Sequence, residues 1–428
     1  MKTSCIRTIT NNGVDRTMDK TVYAATVKHH LCIGCGICKC VCPHGAISYK
    51  RNSVGEWPPS IDAVKCTNCG RCAKFCPNTI YKFKSEANRI SALEYPGDAG
   101  LENADYYVAW SEKYRPHAVS GGVVTTLALY LLEHDMIDAV VHVKRIAAFK
   151  GEPHYEVVLS ATPDEVIENG GSAYQPVNYH DVLMKLEKGK RYFITGVPCV
   201  IRGLKFLFEH HKNFREIKII TCALICSHNV SQLFNDYFMD MHNLPNDKRW
   251  MINFRNKDKA PDASNFNSHI YTGERTLYKE NRFESGWTKI WRGYWFAMES
   301  CNYCSDFWGA DADISVKDAW GKWENEKYGK SVAVVRSELL KEVFIKCGLE
   351  FERVEHKEMH NMQAQTNSYK QRHAREKNFD PWWSKNNRKR GMLHNVIMAR
   401  SSKAIYTLFG YRVASFILPV VDRLLRIL

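Results

Sequence analysis

The sequence predicts an α/β chain, α+β overall: a small cysteine-framed module, then a larger α/β body built on a mostly parallel sheet. Three observations carry this expectation. Eight cysteines near the amino end fall in two runs of identical spacing, Cys32-Cys35-Cys38-Cys42-Pro43 and Cys66-Cys69-Cys72-Cys76-Pro77. Beyond residue 105, short apolar runs alternate with amphipathic stretches, the signature of strands separated by helices. At 428 residues the chain exceeds one average core, so a larger domain must follow a module this small.

Both runs read C-x2-C-x2-C-x3-C-P, the bacterial two-cluster ferredoxin pattern. Three thiolates at this spacing wrap one face of an iron-sulfur cube, while the fourth, carried off by the proline-fixed turn, reaches the cluster of the other run. Cys32, Cys35, Cys38 and Cys76 are the expected ligands of one [4Fe-4S] cluster; Cys66, Cys69, Cys72 and Cys42 are those of a second. This gives a ferredoxin-like two-cluster domain over residues 21–85. Zinc sites usually show two close cysteine pairs, not triplets trailed by a fourth cysteine and a proline. A disulfide framework suits a short secreted chain, whereas Met1 to Gly13 holds no apolar run or small-residue cleavage site. Clusters in such numbers imply a reducing, cytoplasmic interior. Cys40, Cys5 and Cys347 fit no ligand position and read as spare small residues.

A net charge of +14 implies affinity for something acidic. Between Lys28 and Lys84 nine Lys or Arg stand against two acids, Glu56 and Asp62. Cubes held by four thiolates are anionic, so basic neighbours stabilise their reduced form and steer an acidic electron carrier, such as a ferredoxin, to this face. Nucleic acid is the disfavoured partner: no helix-turn-helix, RNA-binding aromatic signature or zinc-finger spacing accompanies the charge.

A stretch rich in Asn, Gly, Pro and acids, residues 86–105, is the expected linker to a body over 106–350. There Tyr106 to Trp110, Ala139 to Val143, Arg191 to Thr195 and Ile217 to Cys222 read as strands. Val123 to Glu133, Leu204 to His210 and Ser231 to Met241 read as helices. Ser120-Gly121-Gly122 opens the first helix; its glycines allow close backbone approach, and the helix terminus favours a phosphate, although a plain turn is the commoner explanation. Gly170-Gly171-Ser172-Ala173-Tyr174 offers similar small residues and a ring, and neither segment is a G-x-G-x-x-G fingerprint. Cys199 ends a strand, Cys222 and Cys226 flank the end of the next, and Cys301-x2-Cys304 comes from a later loop. Four of these five suit a third cluster, but buried unpaired thiols and zinc are open alternatives.

Ser120-Gly121-Gly122-Val123-Val124-Thr125, then Leu131-Leu132 and Ile137 to Val141, resemble the opening of the family of coenzyme F420 hydrogenase/dehydrogenase beta subunits. Gly196-Val197-Pro198-Cys199, Cys226-Ser227-His228, Cys301-Asn302-Tyr303-Cys304-Ser305-Asp306 and Ala312-Asp313 through Lys317-Asp318 resemble its later motifs. The resemblance runs from about Tyr106 to Val335. It implies a flavoprotein in which FAD lies beside a [4Fe-4S] cluster, passing electron pairs to or from coenzyme F420 or another conjugated organic substrate. Some bacterial members are associated with surface-polysaccharide gene neighbourhoods. By the resemblance Cys199, Cys226, Cys301 and Cys304 hold the third cluster, and Cys222 is spare. It makes Ser120, Gly121 and Gly122 phosphate contacts of FAD and Gly171, Ser172 and Tyr174 flavin-site residues, with Asp313 and Asp318 also at the cofactor. Asp313, Asp318 and His228 are candidate general acids, none assigned as catalytic. Three residues depart from the family pattern: Ala173 replaces a lysine, Val200 a glutamine and Lys317 a glycine.

The tail, 351–428, turns basic and aromatic, with Trp382-Trp383 and Arg388-Lys389-Arg390. Apolar residues from Ile405 to Leu428 lie at helical spacing, with Pro419 as a kink and Arg412, Arg423 and Arg426 off the apolar face. Such a helix either docks on the body or anchors peripherally at an anionic membrane face. The chain reads as an iron-sulfur flavoprotein oxidoreductase, with a non-catalytic electron-transfer subunit as the alternative.

Overall fold

The computed structural model describes residues 7–9, 19–79, 81–83, 98–258, 260–273, 275–281, 287–294, 296–323 and 326–378. Most of the expected linker and the C-terminal amphipathic helix lie outside the described residues.

The body is organised by an eight-stranded sheet. Its strands are β1 (Asp105–Trp110), β2 (Ala139–Arg145), β3 (Tyr155–Ser160), β4 (Arg191–Gly196), β5 (Lys218–Leu224), β6 (Ile314–Asp318), β7 (Ser331–Val335) and β8 (Glu350–Arg353). They stand in the order β8-β1-β7-β6-β5-β4-β2-β3. The four central strands β6, β5, β4 and β2 run parallel. The flanking pairs β6–β7, β7–β1, β1–β8 and β2–β3 are antiparallel, so the sheet is mixed, with a parallel centre. Central parallel strands are covered on both faces, and β4 shows it: Tyr192, Phe193 and Ile194 are all buried. Alternation then splits them. Phe193 joins the core under α1 (Val123–Glu133), while Tyr192 and Ile194 pack on the opposite side against α2 (Pro198–His210).

Helix α1 has the bounds that its sequence pattern gives; α2 starts six residues earlier than expected, with Pro198 in its first turn. Strand β8 places residues 350–353 at the sheet edge, so the ordered body continues into the segment expected as tail. A second layer was not anticipated. Met251–Asn256, Asn267–Thr272 and Arg275–Asn281 form an antiparallel sheet, covered by α3 (Leu233–Met241) and by an aromatic cluster that includes Phe234, Phe254, Trp287 and Phe296.

In the cysteine module two short helices, Ile37–Cys40 and Arg71–Lys74, follow glycines in the left-handed region, Gly36 at φ 91° and Gly70 at φ 78°. The module is not a bead on a string. Cys35, Ile37, Val41 and Phe75 share one buried core with Val141, Ile194, Leu204 and Leu207 of the body. Approach is close enough that a Cβ on Gly203 of α2 would meet Ile37 at 2.7 Å and Pro77 at 3.1 Å. The last described element, α4 (His356–Asn378), is mostly polar yet buries Met359, Gln363, Asn367 and Lys370. No helix among the described residues is long and apolar enough to cross a membrane.

Candidate iron-sulfur and cofactor site

Positive φ at Gly34 (69°) and Gly36 lets the first run curl back on itself. Cys32, Cys35 and Cys38 are brought to Cys76, which follows the other short helix. Burial pushes the Cys32 thiol up to about 12 and raises those of Cys35 and Cys38 well above the ordinary thiol range, and neighbouring thiols add to each shift. Cys42 borders a separate gap with Cys66, Cys69 and Cys72. Sulfur acceptors are met by fixed donors: the Val22 amide donates to Cys72 Sγ at 3.2 Å, Gly34 to Cys32 and Ala46 to Cys42, both at 3.4 Å. Thr26 Oγ1 lies 3.2 Å from Cys76 Sγ and Tyr49 Oη 3.4 Å from Cys38 Sγ. Thiols gathered in fours, buried in the first quartet and hydrogen-bonded at sulfur in both, fit iron-sulfur cubes, which take them as thiolates. Among the described residues no group of three or more His, Cys, Asp or Glu is arranged for a single metal ion.

The third quartet forms at the carboxyl end of the parallel strands, where open α/β sheets leave a crevice. Cys199 sits in the first turn of α2 after β4, Cys226 follows β5, and Cys301 and Cys304 come from the turn around Glu299–Asn302. All four line one cavity. Burial raises Cys199 well above the ordinary thiol range, and Cys304, Cys226 and Cys301 raise it further. The Asn229 amide donates to Cys301 Sγ at 3.2 Å. Cys222, fully buried in the sheet core, stays apart from this group, as does Cys347 under α1. The Cys40 thiol instead contacts Gly36 O at 3.7 Å.

The same cavity is walled by Gly171, Ala173 and Gln175 and, from the cysteine module, by Ile33 and Asn78. Three buried polar atoms of its lining have no protein partner among the described residues: Asn78 Oδ1, Gln175 Nε2 and Ser300 Oγ. Such atoms are costly unless something polar meets them, so the wall fits a ligand with both donors and acceptors on its edge, as a flavin ring has. Tyr179 is the seam between module and body: its amide donates to Cys35 O at 3.0 Å and its hydroxyl to Thr195 O at 2.8 Å, and it feels both Cys199 and Cys35.

Several expected cofactor residues are placed differently. Asp313 is at the amino end of β6, away from the cavity, where its carboxylate accepts from the Thr221 amide (2.7 Å) and hydroxyl (2.6 Å). It is a strand tie. Tyr174 turns edge-on into Phe254, Trp287 and Trp291, and Ser172 has no place in the cavity wall. At the Ser120 turn, the Ser120 hydroxyl donates to Lys330 O at 3.2 Å and accepts from Ser331 Oγ at 2.9 Å. A Cβ on Gly121 would meet Ala109 O at 2.6 Å and Ser331 N at 2.8 Å, so this glycine is required by strand packing. Gly122, at φ 79° just before α1, is packed as well, since a Cβ there would meet Arg115 N at 3.0 Å and Tyr114 C at 3.2 Å, so both glycines have a structural reason. His228 packs against Trp291 and Tyr294, at ring-centroid distances of 4.1 and 3.9 Å.

Asp318 forms a bidentate pair with Arg255 at 2.9 and 3.0 Å. Lys257 donates to the carbonyls of Arg115, Ser120 and Tyr328, pinning the turn; burial, then Arg255, pulls it down to about 7. Lys370 reaches from α4 to the carbonyls of Cys226 (3.0 Å) and Ser227 (3.2 Å). Burial pulls the neighbouring Lys317 down to about 8, against Cys226 and Asp318, which raise it. Sequence reasoning missed Arg255, Lys257, Tyr179 and Lys370. Only α4 carried a signal, polar residues recurring at 363, 367, 370 and 371 on one helical face.

A parallel-centred sheet with thiol quartets at its carboxyl end and in a docked module defines an iron-sulfur electron-transfer protein. Residues 106–184 and 189–361 match the amino- and carboxyl-terminal parts of the coenzyme F420 hydrogenase/dehydrogenase beta subunit, and residues 31–80 match a 4Fe-4S dicluster domain. The chain belongs to the family of coenzyme F420 hydrogenase/dehydrogenase beta subunits. It is 24% identical over 329 residues to an uncharacterized protein of Methanocaldococcus jannaschii, covering 72% of this chain and 83% of that protein. It is likewise 24% identical over 298 residues to the F subunit of F(420)H(2) dehydrogenase from Methanosarcina mazei, covering 68% of this chain and 77% of that one. A chain of the F420-reducing [NiFe] hydrogenase complex from Methanosarcina barkeri superposes with a TM-score of 0.46 at 16% identity, over 66% of this chain and 94% of its own.

Proposed function

We propose that the chain is an iron-sulfur flavoprotein oxidoreductase, taking electrons singly from an acidic, ferredoxin-like donor and exchanging them in pairs with a conjugated organic substrate. The observation that carries this is the shared cavity: the third quartet, the partnerless atoms of Asn78, Gln175 and Ser300, and the module face beside Cys35 meet there. When bound, [4Fe-4S] clusters supply one-electron transfer and FAD the exchange between one- and two-electron chemistry. Cys32, Cys35, Cys38 and Cys76, then Cys66, Cys69, Cys72 and Cys42, then Cys199, Cys226, Cys301 and Cys304 would hold three clusters. The Gly122 turn, with Lys257 behind it, would meet FAD phosphates, and Gly171, Ala173 and Gln175 would face its ring.

Donor entry is assigned to the second quartet. Cys69 is exposed there, with exposed Lys65 and Arg71 nearby, Lys65 being paired with Asp62. Tyr179 and the apolar seam pack the module against the strands that carry the third quartet. The substrate class rests on the family and on the M. mazei relative, whose name carries F420H2. That relative is named as one subunit among others, which favours a second reading, a wiring subunit of a larger redox complex.

The test is anaerobic purification with iron, sulfide and flavin analysis. About twelve irons per chain are expected from three four-iron cubes, with FAD retained on gel filtration. Gln175→Glu keeps the oxygen that accepts from Asn235 at 3.3 Å but replaces the partnerless donor, and it should weaken FAD binding roughly tenfold. Intact clusters in a protein that never binds FAD would leave the wiring subunit.

A further inference from the structure

Helix α4 carries a buried cation onto the third quartet. Lys370 is 3% exposed and faces the cavity, and no carboxylate pairs with it among the described residues. The nearby acid, Asp306, is paired with Arg202 at 3.3 Å. A buried ammonium held only by two carbonyls needs a countercharge. The helix is fixed in place by its neighbours: Gln371 Nε2 donates to Ser305 O at 2.6 Å, beside Cys304, and Gln363 Nε2 to Asp318 O at 2.9 Å. Residues 362–378, Lys370 included, lie beyond the segment that matches the family.

We propose that Lys370 is a positioning residue that supplies the countercharge of the third cluster and sets its reduction potential above the value the four thiolates alone would give. The proposal rests on that cluster being present. A cube with four thiolates gains a further negative charge on reduction, so a fixed cation in a dry site favours the reduced form. The consequence is a stronger pull on electrons at the third quartet than its thiolates alone would exert.

The experiment is an anaerobic redox titration followed by electron paramagnetic resonance on the wild type, Lys370→Gln and Lys370→Arg, with Cys301→Ala identifying the third cluster's signal. Lys370→Gln should lower that potential alone by at least tenfold in the one-electron equilibrium constant, about 59 mV, while Lys370→Arg restores most of it. If Lys370→Gln instead loses one cluster that Lys370→Arg keeps, the requirement for charge stands. An unchanged potential with full iron, or loss of the cluster in both variants, would overturn the proposal and leave Lys370 as a structural tie. About eight irons in the wild type would contradict the third cluster itself, a separate failure.

Discussion

Gly36→Ala should cost about 2–4 kcal/mol and disturb the seat of the cysteine module, the sum of left-handed strain and overpacking. Its φ is 91°, and an added Cβ would meet Asn178 Oδ1 at 2.3 Å and the His180 amide at 2.8 Å. The second contact is backbone on the body side of the seam, so the module, not a side chain, must move. Gly45 is the control. It also has positive φ, 58°, but nothing lies within 4 Å of its Cβ position, so Gly45→Ala should cost only about 1 kcal/mol of strain. Urea unfolding measures both. Rates of third-cluster reduction should fall in Gly36→Ala and hold in Gly45→Ala; equal losses in the two would mean that the seam is not what Gly36 protects.

Asp306→Ala should be costly for a different reason. Its carboxylate is 1% exposed, pairs with the 5% exposed Arg202 and accepts from the Gly309 amide at 2.9 Å. Removing one partner of a buried pair leaves the other desolvated, typically at 3–5 kcal/mol; about 3 is expected here, because Cys199 still lies beside Arg202. The loop after Cys304 loses its anchor, so one cluster should be lost with the stability. Asp306→Asn, which can still accept from Gly309, should lose less. Iron content and unfolding together check this; full iron and wild-type stability in Asp306→Ala would remove the pair from the account.

The sequence carried the parts whose signals are local. Period and apolar runs gave α1 and the parallel centre of the sheet, and cysteine spacing gave the grouping of the first two sets of thiols. Grouping Cys199, Cys226, Cys301 and Cys304 needed the family resemblance, since strand ends distant in the chain converge only in the fold. The docking of the module was not legible, because it rests on Gly36 and Gly203, whose meaning is set by what lies across the seam. The antiparallel layer around Phe254 was missed for lack of clean alternation. Lys370 was hidden in a polar, basic stretch that reads as solvated surface; its burial is decided by carbonyls more than a hundred residues away. Asp313 misled in the opposite sense, as a motif residue that ties two strands.

The most direct test of the whole account is rapid mixing of the FAD-loaded protein with a reduced ferredoxin-type donor, comparing wild type with Cys301→Ala. In the wild type the iron-sulfur absorbance should bleach first and the flavin band after it. In Cys301→Ala the ferredoxin pair should still be reduced at the wild-type rate while the flavin phase disappears. Flavin bleaching at an unchanged rate in Cys301→Ala would contradict the account, because electrons would then reach the cavity without the third quartet.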